Sequence, residues 1–131
     1  MKNWTIALVA AALLCGVSAR AHEGHDDDDM AAKGGVVATM SGELVDMACY
    51  LGHGGAGEKH AKCAKMCVMK DGAPLGLLDK SGALYLVVAD HANEKPYQAA
   101  KELAGEHATL TGRVVHKGGL PALIVSKAQK Q

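Results

Sequence analysis

Phenylalanine is absent from this chain of 131 residues, and aromatic side chains make up only 3% of it. Trp4 falls in the apolar N-terminal run, which leaves Tyr50, Tyr85 and Tyr97. Proteins that hold single-stranded nucleic acid stack bases on aromatic rings set in a basic groove. Here the rings are too few, and 14 Lys and Arg are balanced by 14 Asp and Glu. Without a basic excess there is no electrostatic footprint for nucleic acid or for an anionic membrane surface. Long apolar runs are also lacking. The run from Ile6 to Ala19 falls short of the ~20 residues that a spanning helix needs.

That short run is flanked by Lys2 on one side and by small residues at Ala19 and Ala21 on the other. This is the form of a secretory signal peptide. Cleavage after Ala21 fits the small-residue rule, and so does cleavage after Ala19; an uncleaved anchor helix is the alternative. Leu14 stands before Cys15, where a lipoprotein would need a small residue. The expectation is a periplasmic or secreted protein with no stable membrane insertion once the signal, residues 1–21, is removed. Removal takes Lys2 and Arg20 but no acid, so the remainder is slightly acidic.

Cysteine is scarce and oddly counted. Cys15 leaves with the signal, and Cys49, Cys63 and Cys67 remain. Three thiols cannot all pair within one chain in an oxidising compartment, so at least one is free, shared with another chain, or bound to something else.

Residues 22–33 are rich in His and Asp and have no apolar periodicity, which predicts a disordered tail. A domain over residues 34–131 follows. Its first stretch, "VVATMSGELVDM", reads as a strand, with Gly42 at a bulge or bend. "GHGGAG" (Gly52 to Gly57) reads as a flexible loop. Good helix formers from Glu58 to about Met69 predict a helix that ends at Asp71-Gly72. Two strands around a turn at Asp79–Gly82 come next, then a helix that starts near Asn93 and stops at Gly105. Two further strands flank a turn at Lys117–Gly119. Five strands with a helix between the third and fourth is the plan of a small OB-like barrel. The fold expected is therefore mainly β with two helices, the cysteine-bearing one inserted between strands 1 and 2. A plain α+β sandwich of the same elements is the alternative.

At about 100° per residue, His60, Cys63 and Cys67 lie within an arc of about 60° on the predicted helix, while Lys59, Lys62 and Lys65 turn to the other flank. Cysteines four apart on a helix have Cβ atoms about 5–6 Å apart, whereas a disulfide wants about 3.8 Å. A disulfide from Cys49, brought back by the glycine loop, to one helix cysteine is geometrically sounder. A metal site uses all four groups at once. Cys49, His60, Cys63 and Cys67 make a Cys3His set suited to tetrahedral zinc, and thiolate-rich sites also hold Cu(I). The spacing C-x10-H-x2-C-x3-C is not that of a zinc finger. Active thiol redox chemistry is the third reading, aided by the nearby lysines.

Weaker candidate ligands surround this set. His53 lies in the glycine loop and reads as a spare ligand or an exposed residue. Met47, Met66 and Met69 offer thioethers to Cu(I) but are the kind of residue that more often fills a core. His22 becomes N-terminal after one cleavage and third after the other, positions that suit Cu(II) or Ni(II), with His25 close by. His91, His107 and His116 read as surface residues.

Residues Gly42 to Val125 resemble a group of small exported bacterial domains of largely uncharacterised function. The matching stretches are "GELVDMACYLG", "KHAKCAKMC", "DGAP" and "LAGEHATLTGRV". The resemblance implies an OB-like barrel and a shared constellation of Cys49, His60, Cys63 and Cys67, and it implies no activity; His53 and the histidine tail lie outside it. No dedicated acid, base or substrate pocket is visible in the sequence. The expected function is therefore binding of copper or zinc for storage, delivery or structural stabilisation, with the metal ion and another periplasmic protein as partners. Thiol–disulfide redox through Cys49 and a helix cysteine is one alternative, and a disulfide-stapled interaction module is the other.

Overall fold

A computed structural model describes residues 35–131. The expected signal peptide and acidic tail, with His22 and His25, lie outside the described residues. Five strands are present: β1 (Val36–Asp46), β2 (Leu75–Asp79), β3 (Leu84–Val88), β4 (His107–Lys117) and β5 (Leu120–Lys130). They close a barrel in the order β1-β2-β3-β5-β4. All pairings are antiparallel except that of β3 with β5. This is the OB-like arrangement, with the cysteine helix α2 (Glu58–Lys70) between β1 and β2 and helix α3 (Lys95–Glu102) between β3 and β4. Among the described residues there are three helices rather than two. The extra one, α1 (Met47–His53), continues directly from β1.

Turn chemistry sets the strand junctions. Gly118 and Gly119 both have positive φ, 58° and 79°, between the paired residues Lys117 and Leu120. Two consecutive positive-φ residues define the hairpin turn whose twist matches the flanking strands. Gly42 faces two neighbours at once, pairing with Asp79 of β2 and with Ala108 of β4. A Cβ there would overlap the Leu78 carbonyl. The pairing irregularity lies elsewhere, in β4 between Thr111 and Gly112.

The β2–β3 turn hangs on one carboxylate. Asp79 Oδ1 accepts from the Ser81 amide (2.7 Å), the Ser81 hydroxyl (2.6 Å) and the Ala83 amide (3.0 Å). The Ser81 hydrogen bond leads in holding the Asp79 carboxyl below its ordinary value. A group lowered in the folded state adds stability above its unfolded pKa and loses it as pH falls. Asp79→Ala should therefore lower stability at neutral pH, and by less at pH 3. Urea denaturation at both pH values checks this, and equal losses would refute it.

With no Phe to fill it, the barrel lumen is packed by aliphatic side chains. Leu44, Leu75, Leu77, Leu110, Leu123, Val87 and Val125 are buried there, joined by Val68 of α2 and Ala100 of α3. Val68 is the hydrophobic anchor that seats α2 on the barrel, leaving the Lys62, Met66 and Met69 side exposed. No helix among the described residues is long and apolar enough to cross a membrane.

Candidate metal centre

The centre forms where β1 stops. Asp46 ends the strand and caps α1, its Oδ1 accepting from the amides of Ala48 (2.8 Å) and Cys49 (3.4 Å). An Asp at this position satisfies helix-start amides that have no partner within the helix. Cys49 therefore sits in the first turn of α1, not at the end of a strand. Gly54 closes α1 with φ 72°, and its amide reaches back to the Tyr50 carbonyl (2.8 Å). The chain then crosses to α2, which carries His60, Cys63 and Cys67 on consecutive turns.

Three contacts hold α1 against α2. The Met47 amide donates to the Pro74 carbonyl (2.9 Å), and the Ala73 amide donates to the Cys67 carbonyl (3.0 Å), so the loop leaving α2 is stitched to the start of α1. The Gly55 amide donates to the Cys49 carbonyl (3.2 Å), and the buried Gly55 backbone lies over the His60 ring. A Cβ on Gly55 would come 2.7 Å from His60 Nε2. Gly55→Ala should thus rotate the imidazole away, moving the His60 ring resonances in an NMR spectrum by far more than those of His91. An unmoved His60 would count against this packing.

The sulfur atoms of Cys49, Cys63 and Cys67 all lie within 4.8 Å of one another, with Cys63 and Cys67 4.0 Å apart. All three are free thiols, so the pairing of Cys49 with a helix cysteine is not present. Cys63 and Cys67 are far beyond the ~2 Å of a sulfur–sulfur bond, as their spacing on the helix dictates. A second triad of donor atoms, from Asp46, Cys49 and His60, meets the same 4.8 Å limit. Of the expected Cys3His set, the three sulfurs form one triad, while His60 groups with Asp46 and Cys49; Cys49 is the residue common to both triads. His60 leads the helix, one turn ahead of Cys63, which places its ring against α1.

Asp46 is the candidate ligand that sequence reading misses. Its side chain is wholly inaccessible to solvent, and its second oxygen, Oδ2, has no hydrogen-bond partner. Burial pushes the carboxyl up, but the covering layer is thin. The Cys49 thiol, the Ala48 and Cys49 amides and the Cys67 thiol together hold it below its ordinary value. The thiols respond in the opposite direction. Contact with the Asp46 carboxylate, then burial and the negative charge of Asp46, Cys67 and Cys63, push Cys49 up to about 12. Burial leads in raising Cys67, followed by its contacts with Cys63 and Asp46. In the absence of a cation, these groups cannot all be ionised together. A bound cation removes that repulsion and takes the sulfurs as thiolates.

The remaining candidates sort by position. His53 is the last residue of α1, not part of the glycine loop; it is exposed, and its ring stands edge-on to His60 with centroids 5.6 Å apart. It belongs to neither triad of donor atoms. Met47 is half-buried and packs against Gly76. Met66 and Met69 are exposed on the outer side of α2 among Lys62, Lys65 and Lys70. His91, His107 and His116 are all exposed, as expected of surface residues.

Comparison with known proteins returns no matching family model, no matching curated protein and no matching solved structure.

Proposed function

We propose that this is an exported metal-binding protein that holds copper or zinc through Cys49, Cys63 and Cys67, for storage or delivery. The observation that carries the reading is the convergence of three sulfurs within 4.8 Å from two separate helices. Sulfur donors of this number and spacing fit zinc or Cu(I). Cys63 is exposed while Cys49 and Cys67 are half-buried, so one face of the ion is open to an incoming ligand. An open face favours transfer over a purely structural role. The N-terminal signal-like run and the likeness to small exported domains support a periplasmic or secreted location.

Metal analysis of protein purified from its native compartment should find at least one equivalent of metal. In a Cys63→Ser, Cys67→Ser double variant, the sulfur-to-metal absorption should vanish. Metal-free protein in both cases, with unchanged stability, would end the proposal. Cell fractionation and N-terminal sequencing test the location, and intact protein retained in the cytoplasm would refute it.

Cys49, a free thiol within 4.8 Å of Cys63 and Cys67, also favours a second reading, thiol–disulfide exchange through Cys49 and a helix cysteine. Thiol titration separates the two. Three thiols released by chelator alone support the metal reading, whereas thiols that appear only after reductant support exchange.

A further inference from the structure

The geometry points to a binuclear centre: a second, divalent ion held by Asp46, Cys49 and His60, with the Cys49 sulfur shared between the two ions. This rests on the metal-binding reading above and extends it. The donor atoms fall into two triads rather than one group of four, and Cys49 is the only residue common to both. A thiolate sulfur keeps enough lone pairs to bind two cations at once.

Two residues of the second triad each carry an orphaned polar atom. Asp46 Oδ2 is buried without a partner, and so is His60 Nε2. A buried polar atom left without a partner is destabilising, and more so when the group is charged. They come from different elements, the end of β1 and the second helix, yet both accompany the same cysteine. Gly55 maintains this arrangement, bonding to the Cys49 carbonyl while its backbone covers the His60 ring.

Donor chemistry tells the two positions apart. Three sulfurs suit a soft ion, whereas one oxygen, one sulfur and one nitrogen form a mixed set of the kind zinc takes. The second position therefore selects a borderline divalent ion, and Cu(I) is left to the sulfurs. Charge supports two ions as well. Three thiolates and one carboxylate carry four negative charges; a single divalent ion neutralises half of them, and two neutralise all.

The test is an anaerobic Co(II) titration of the reduced, metal-free full chain, followed by absorption, with native mass spectrometry of the zinc form. Two equivalents are expected. Asp46→Asn, which retains an oxygen for the α1 cap, and His60→Ala, which retains the helix, should each lower the count from two to one. Both variants should keep the sulfur-to-cobalt band of the three-cysteine position. Circular dichroism confirms that they are folded. One equivalent in the parent chain, unchanged in both variants, overturns the second ion and leaves the metal-binding reading intact. No bound metal at all overturns both.

Discussion

Zinc-loaded protein should melt roughly 15–30 °C above the metal-free chain when free metal exceeds its Kd about a thousandfold. Ligand that binds only the folded state at that excess adds about 4 kcal/mol. For a domain of about 100 residues, each kcal/mol shifts the melting temperature by roughly 4–8 °C. The gain should shrink steeply on acidification. Cys49 and Cys67 hold their protons tightly: Asp46 leads in raising the Cys49 thiol and burial leads in raising Cys67, with the neighbouring sulfurs adding to both. Metal must displace those protons, and each one displaced makes affinity fall about tenfold per pH unit. Scanning calorimetry from pH 8 to pH 5, with and without zinc, checks both parts. A metal-induced shift that does not change with pH would show that the thiols are not the ligands. The metal-free protein has a matching weakness at high pH. Folding lifts the Cys49 thiol from 9.0 to about 12, so between these values the folded chain keeps a proton that the unfolded chain has lost. Stability present below pH 9 is therefore lost as pH climbs toward 12.

Gly105→Ala should destabilise the domain by about 2–4 kcal/mol and weaken metal binding at the same time. Gly105 has φ 83°, a conformation that costs an L-residue about 1–2 kcal/mol. Its amide donates to the Leu44 carbonyl of β1 at 2.6 Å, just beyond the last β1–β4 pair. A Cβ at this position would overlap the backbone of Ala61, and backbone cannot rotate aside as a side chain can. Helix α2 would have to lift away from the barrel, carrying His60, Cys63 and Cys67 with it. Denaturation and a metal titration on the same variant test the coupling. Lost stability with unchanged affinity would mean that α2 does not need this contact to place its ligands.

Both effects depend on features of different legibility. The strands and the α2 helix could be read from the sequence because each has a clear local signature: Asp79–Gly82 and Lys117–Gly119 at the turns, uninterrupted helix formers from Glu58 onward. The barrel order followed from the succession of elements. Helix α1 could not be read this way. Seven residues are too few to show a period of 3.6, and Val45-Asp46-Met47 looks like the tail of a strand. Its only markers were Asp46 as a cap residue and Gly54 as a left-handed stop. Missing α1 hid Asp46, because an aspartate at a strand end reads as solvated until the following helix covers it. The helix that carries His60, Cys63 and Cys67 forms where its residues predict it. The assignment of His60 to the second triad depends on where Gly55 and Asp46 lie in space, and helix spacing holds no information on that. Gly105 shows the same division. Its role as a stop could be read from the sequence, but its close approach to Ala61 could not.

Asp46 is paired in the sheet with Leu75, the residue immediately after Pro74. One rung of the β1–β2 ladder therefore joins the chain entering the first helix to the chain leaving the second. If that ladder slipped by a single step, Asp46 would travel about 3.3 Å and swing to the opposite side of the sheet. The alignment of two neighbouring strands thus works as a ruler for the distance between candidate ligands 11 or more positions apart in the chain. Lengthening the Asp71–Pro74 link by one residue would consequently register as altered ion preference well before it registered as unfolding.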